Sequence, residues 1–155
     1  MAKARKNTYL KEIEVKYKIK KINDKVIGKR LTDAKLVAEL FADLQNETKE
    51  KFIAINLDAQ NKILCFEVVA IGSVEAIYLR PMEVFRTSII VNASAVVLVH
   101  NHPSGEPAPS PEDVNFTLKC IRIADDLGVQ LYDHVIIGID SYYSFADKGI
   151  IEPKR

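Results

Sequence analysis

The stretch that most constrains this chain is Ala95-Val96-Val97-Leu98-Val99-His100-Asn101-His102-Pro103-Ser104-Gly105. Five consecutive apolar residues read as a buried strand. Side chains two residues apart on a strand point to the same side, so His100 and His102 can converge on one point at the strand end. Residues 101–111 contain Pro103, Gly105, Pro107, Pro109 and Pro111, which makes the following loop stiff. Ser110-Pro111-Glu112-Asp113 then opens a helix and brings the Asp113 carboxylate back over the strand end. Such crevices are where α/β sheets place their ligands. Two imidazoles and a carboxylate, with a fourth position left to water, form the ligand set of a catalytic zinc ion; the same set also suits Fe(II). Capping alone also accounts for part of it, since Ser110 at the cap, Pro111 at the first position and an acid at the third make a good helix start.

With 155 residues the chain is long enough for one domain with a real core. Apolar residues make up 48% and charged residues 28%, ordinary for a globular protein. No apolar stretch reaches the ~18–20 residues that a membrane span needs, and no apolar segment follows the basic start as in a signal peptide. The expected location is therefore the cytoplasm, with no membrane partner. Cys65 and Cys120 belong to no C-x-x-C pair and read as buried free thiols. The net charge of +1 hides an asymmetry: residues 1–30 hold 11 Lys/Arg against three acids, and the remainder carries −7. This split fits a weak DNA-contacting arm. It also fits an edge strand protected by lysines, because Ile13, Val15, Tyr17 and Ile19 alternate with charged residues.

Residues 1–8 read as a disordered basic tail, 9–20 as that strand, and 21–30 as irregular. Asp33 offers an N-cap to a helix from Ala34 to about Gln45. Phe52–Leu57 and Lys62–Val69 read as a hairpin around a turn at 58–61, and Val74–Tyr78 as a third short strand. Pro81 suits the first turn of a helix over Met82–Asn92. After the His strand, a helix runs from Pro111 to Leu127 and stops at Gly128; strands follow at Val129–Ile139 and Tyr142–Phe145. Helices alternating with strands, plus a hairpin, predict an α/β/α sandwich with a mixed sheet. The expected organisation is a basic tail and strand over 1–30, then one domain over 31–155.

The spacing His100-x-His102, Ser110 and Asp113 resembles the JAMM (MPN+/JAB) metalloprotease signature. Within that superfamily the chain is similar to RadC, through Arg80-Pro81-x-Glu83-Val84-Phe85-Arg86, Asn92-Ala93-x-Ala95, His100-Asn101-His102-Pro103-Ser104-Gly105, Pro109-Ser110-x-x-Asp113, Asp133-His134-x-Ile136-Ile137-Gly138 and Tyr143-Ser144-Phe145-Ala146. The similarity as a whole extends over about residues 32–152. Full-length RadC proteins carry a helix-hairpin-helix region, which the short basic N-terminal stretch here does not match, so DNA binding does not follow from the resemblance.

The resemblance implies a JAB1/MPN-like, cytidine-deaminase-like fold and a zinc-dependent peptidase or isopeptidase binding one Zn²⁺ per chain through His100, His102 and Asp113. It implies an upstream glutamate as the general base. Glu50, just before a predicted strand, matches it, with Glu47 as the nearest rival; Glu67 lies at the far end of the hairpin and Glu83 in a helix first turn. In the implied mechanism the ion lowers the pKa of its water from 15.7 to roughly 7, and Glu50 takes the proton and returns it to the leaving amine. Ser110 is implied to hydrogen-bond the oxyanion. Pro103, Ser104 and Gly105 are expected to shape the loop, and Asn101 to point away from the ligands. His134 is either a core histidine or a partner to a ligand. The substrate, a peptide or protein, and the oligomeric state stay open. A nucleic-acid-associated accessory protein, in DNA repair or mobile-element biology, is the competing reading.

Overall fold

A computed structural model of the chain describes residues 10–19, 21, 30–72 and 79–152. Its centre is the strand that carries the histidines. A five-stranded mixed sheet is built from β1 (Glu50–Leu57), β2 (Ile63–Gly72), β3 (Ala95–Asn101), β4 (Gln130–Ile137) and β5 (Tyr142–Ser144), in the order β2-β1-β3-β4-β5. Three α-helices, α1 (Ala34–Leu40), α2 (Pro81–Ile90) and α3 (Pro111–Leu127), complete the fold. β3 is antiparallel to β1 and parallel to β4. A parallel pair needs a long crossover, which α3 provides. Every residue of β3 is buried.

Alternation along the strands makes two cores. On one face Phe52, Val96, Leu98 and Ile136 pack with Val84 and Phe85 of α2 and with Cys120 and Ala124 of α3. On the other, Ile53, Ile55, Val97, Val99 and Val135 pack with Ala34 and Val37 of α1 and with Leu44. The expected α/β/α sandwich with a mixed sheet is the architecture found. Among the described residues no helix is long and apolar enough to cross a membrane.

Local chemistry sets the element ends. The Asp33 carboxylate accepts from the Leu36 N–H (2.8 Å) to cap α1. The Glu83 carboxylate accepts from the Arg80 N–H (3.0 Å) where Pro81 starts α2. Gly128, at φ 69°, ends α3 in the left-handed conformation that glycine adopts without strain. The hairpin turn is held by the Asp58 carboxylate, which accepts from the N–H groups of Gln60 and Lys62.

Several expectations change. The helix expected to reach Gln45 stops at Leu40 and continues as a 3₁₀ turn, Ala42–Asn46. This break lets Phe41 meet the Phe66 ring edge-on at 5.5 Å while Leu44 still reaches the core. β1 begins at Glu50, two residues before the expected Phe52, which proves decisive for the site. β2 runs on to Gly72. The strand expected over 9–20 does not form at residues 10–19, which have no regular structure and leave Ile13 89% and Ile19 95% exposed. Alternation supplies one apolar face, but a strand also needs an edge to pair with and a core to cover, and neither core cluster includes these residues. The tail over 1–8 and the short strand over Val74–Tyr78 lie outside the described residues.

Both cysteines are free thiols; Cys120 is buried as expected, whereas Cys65, expected to be buried too, is only half-buried. Burial pushes the Cys120 thiol up to about 12, and the thiolate is the reactive form. Iodoacetamide at neutral pH is therefore expected to leave Cys120 unlabelled in the folded chain and to label both cysteines in denaturant. Mass spectrometry of digested protein reads this directly, and rapid native labelling of Cys120 would contradict the core assigned to it.

Candidate metal centre

Register brings the site together. Phe52 of β1 pairs with His100 of β3, and directly opposed residues share a face. Glu50, two residues before Phe52, therefore projects on the face that carries His100. His102 lies just past β3, where its N–H donates to the Ile137 carbonyl (3.1 Å) and so carries the β3–β4 pairing forward. Asp113 arrives from the first turn of α3, whose stripe Thr117, Cys120 and Ala124 is buried against the sheet.

Glu50, His100, His102 and Asp113 each offer a ligand atom, all within 4.8 Å of one another. His100 Nε2 lies 3.1 Å from His102 Nε2 and 3.3 Å from Asp113 Oδ1, and His102 Nε2 lies 3.3 Å from Asp113 Oδ2. Glu50 Oε1 is 3.7 Å from His100 Nε2. Ligands about 2.0–2.1 Å from a tetrahedral ion lie roughly 3.3–3.4 Å apart, so the three His/Asp separations fit a zinc-sized cation. The chemistry of the set fits too: two imidazole nitrogens and two carboxylates, all able to act as electron-pair donors to an ion.

The electrostatics follow from burial and mutual charge. Burial pushes the Glu50 carboxyl up, against the lowering effect of His100 and His102. Burial also acts upward on Asp113, but hydrogen bonding from both imidazoles, the charge of His100 and the Ser110 N–H outweigh it and hold Asp113 well below the usual carboxylate range. His102 is raised, mainly by its hydrogen bond with Asp113. Burial holds His134 well below the ordinary histidine value.

Each candidate from the sequence now has a place. Of the four glutamates weighed, Glu50 alone joins the cluster. Glu47 pairs with Lys51 Nζ (2.5 Å), Glu67 accepts from Arg86 and Thr87 of α2, and Glu83 caps α2. Asn101 is buried and faces away from the histidines, and it clamps the backbone on both sides of Glu50. Its Oδ1 accepts from the Lys51 N–H (2.8 Å) and its Nδ2 donates to the Lys49 carbonyl (3.1 Å). This clamp explains why β1 starts early.

The Ser110 hydroxyl donates to Asp113 Oδ2 (2.8 Å) and accepts from the Asp113 N–H (3.1 Å). Its geometry here is that of a helix cap; service to an oxyanion requires the hydroxyl to turn away from Asp113. Pro103 is half-buried in the loop, and Ser104 Oγ accepts from the Glu106 N–H. Gly105 sits at φ 84°, where a Cβ would come within 2.6 Å of Ile139; its carbonyl accepts from the Ile139 N–H. The loop thus folds back onto the β4–β5 turn and places the Glu106 carbonyl 2.9 Å from His102 Nδ1.

His134 is both a core residue and a hydrogen-bond partner of His100. It is fully buried, stacked on Phe145 (ring centroids 4.8 Å apart), with Nε2 2.8 Å from His100 Nδ1. Phe52 stacks on His100 from the other side at 5.4 Å. Thr117 was not singled out from the sequence, yet its hydroxyl lies 2.7 Å from His134 Nδ1. The available signal was a polar residue on the apolar stripe of α3, one turn beyond Asp113.

The RadC-like JAB domain model matches residues 31–150. Similar curated proteins include "UPF0758 protein" of Methanosarcina mazei, 42% identical over 113 residues (73% of this chain, 49% of that one). That of Aquifex aeolicus is 38% identical over 113 residues (73% and 49%). That of Syntrophotalea carbinolica is 38% identical over 125 residues (80% and 55%). The chain spans about half the length of these relatives. A five-stranded mixed sheet between helices, a His/His/Asp/Glu cluster at the end of its central strand and a match over most of the chain together show that it belongs to the RadC-like JAB domain family.

Proposed function

We propose that this chain is a metal-dependent hydrolase of amide bonds, a peptidase or isopeptidase, using one Zn²⁺ per chain and acting on a peptide or protein. The observation that carries this reading is the convergence of four ligand atoms from three separate segments, β1, the β3 end and α3, at one partly exposed point. His100, His102 and Asp113 would hold the ion. When bound, it supplies Lewis acidity, which brings the pKa of coordinated water from 15.7 to about 7 and polarises a carbonyl oxygen. The remaining steps belong to the protein. Glu50, raised by burial, is suited to accept a proton and release it to the leaving amine, because a transfer group works best with a pKa near the operating pH. His100 is fully buried, while His102, Asp113 and Glu50 remain partly exposed, so substrate approaches over these three. Ser110 holds Asp113 in place through its hydroxyl and backbone N–H.

Elemental analysis and a peptide-library cleavage screen test this together. The wild type is expected to bind one zinc per chain, Asp113→Ala to lose it, and Glu50→Gln to keep it while cleavage falls by ~10²–10⁴-fold. A Glu50→Gln protein as active as the wild type would remove Glu50 from the mechanism. Wild-type protein that binds no zinc would remove the metal reading.

Asn101 gives a separate prediction. Asn101→Ala releases the backbone on both sides of Glu50 and leaves the His and Asp ligands in place. Zinc content is expected to stay at wild-type level while kcat falls about 10–100-fold, the order of loss that a 1 Å displacement of a reacting group produces. Unchanged kcat would show that β1 holds Glu50 without the clamp.

One observation favours a second reading, nucleic-acid association in DNA repair or mobile-element biology: 11 of the 22 Lys/Arg residues fall within residues 1–30. If this stretch contacts DNA, binding weakens steeply with salt and is lost when residues 1–30 are removed. Equal binding by the full and shortened chains would dismiss that role for the stretch.

A further inference from the structure

We propose that His134 and Thr117 are positioning residues that fix the tautomer of His100, so that its Nε2 carries a free lone pair toward the other three ligand atoms. The inference rests on the metal reading only at its last link; the proton order belongs to the chain itself.

The order follows by counting donors. Thr117 Oγ1 lies 2.6 Å from the Asp113 backbone carbonyl. A carbonyl only accepts, so the single hydroxyl proton goes there. Thr117 Oγ1 also lies 2.7 Å from His134 Nδ1; with its own proton committed, the oxygen accepts, and Nδ1 must carry hydrogen. His134 is fully buried between Phe52 and Phe145 and forms no ion pair with a carboxylate among the described residues. An unpaired buried charge is strongly disfavoured, so the ring is neutral and its Nε2 is bare. That bare Nε2 lies 2.8 Å from His100 Nδ1, which must therefore donate. With hydrogen fixed on Nδ1, Nε2 is the nitrogen of His100 that can present a lone pair, and it is the atom 3.1 Å from His102 Nε2 and 3.3 Å from Asp113.

The chain closes on itself. It starts on the backbone of Asp113 in α3, crosses β4 through His134 and ends on His100 in β3. It therefore ties two of the three His/Asp ligands to each other through a path separate from any ion. His102 is treated in the same way by a simpler device, the Glu106 carbonyl 2.9 Å from its Nδ1.

The test uses full-length protein with ¹⁵N-labelled histidine. Long-range ¹H–¹⁵N correlation at neutral pH is expected to show hydrogen on Nδ1 of both His100 and His134, with a bare Nε2 on His134, before and after zinc addition. Thr117→Val keeps the shape of the side chain but removes the acceptor. A stranded buried N–H is less tolerable than a stranded lone pair, so the His134 proton is expected to move to Nε2 and that of His100 to Nε2 as well. Zinc affinity, measured by chelator competition, is then expected to fall about 10–100-fold, the usual effect of losing such a partner, with near-wild-type affinity for Thr117→Ser. His134→Leu should weaken zinc comparably; if it fails to fold, the Thr117 pair and the wild-type spectrum still decide. A His100 Nδ1 without hydrogen in the wild type, or wild-type affinity in a folded Thr117→Val protein, overturns the proposal. Wild-type protein that shows the stated tautomers but binds no zinc instead overturns the metal reading and leaves the relay standing.

Discussion

Burying an imidazole inside a sheet is the constraint around which this molecule is arranged. His100 sits in the central strand with no solvent exposure, and a buried polar ring must have its nitrogens accounted for. One nitrogen is satisfied by His134. The other faces ligand atoms from β1, α3 and the β3 end. Everything that fixes those three segments relative to β3 therefore fixes the site. The β1–β3 register sets Glu50, the capping box of α3 sets Asp113, and the backward fold of the loop at Gly105 sets His102.

Rigidity comes from packing as well as hydrogen bonds. Phe52 lies flat on His100, with 11° between the ring planes, and Phe145 lies flat on His134 at 9°. The two imidazoles thus have aromatic rings against their faces and hydrogen bonds at their edges. Such a ring cannot rotate without opening the core formed by β1, β3, β4 and α3. Preorganisation of this kind is what allows a metal site to hold one geometry.

Much of the site was legible in the sequence because it depends on short-range geometry. His100 and His102 share a side because they are two apart and the β3–β4 pairing carries one residue past the strand end, to His102. Ser110 and Asp113 meet because they are three apart at a helix start, and α3 has the expected ends, Pro111 and Leu127. The positions that were not legible depend on contacts across many residues. Asn101 reaches the Lys51 N–H, next to Glu50, from 50 residues away in the chain, and Thr117 reaches His134 across 17. No local pattern distinguishes a threonine that orients a histidine from one that fills a helix stripe. The failed strand over 10–19 shows the converse: alternation describes what a segment can bury, and the rest of the fold decides whether there is anything to bury it against.

Ser110 shows how one residue is claimed by two kinds of chemistry. Its hydroxyl and N–H both bond Asp113 Oδ2, while the Asp113 N–H bonds back to its hydroxyl. As a cap this satisfies donors at the start of α3. In the proposed metal centre the same bonds would stabilise the anionic carboxylate and orient it toward the histidines. The two roles use the same geometry, so the bonds that start the helix also place Asp113 beside the histidines. A hydroxyl has one proton, and here it lies on Asp113. Any additional role for Ser110 toward a substrate oxygen must draw that proton away from the carboxylate, which then binds an ion with one hydrogen bond fewer. In the proposed mechanism, ligand orientation and oxyanion stabilisation would therefore compete at this single hydroxyl.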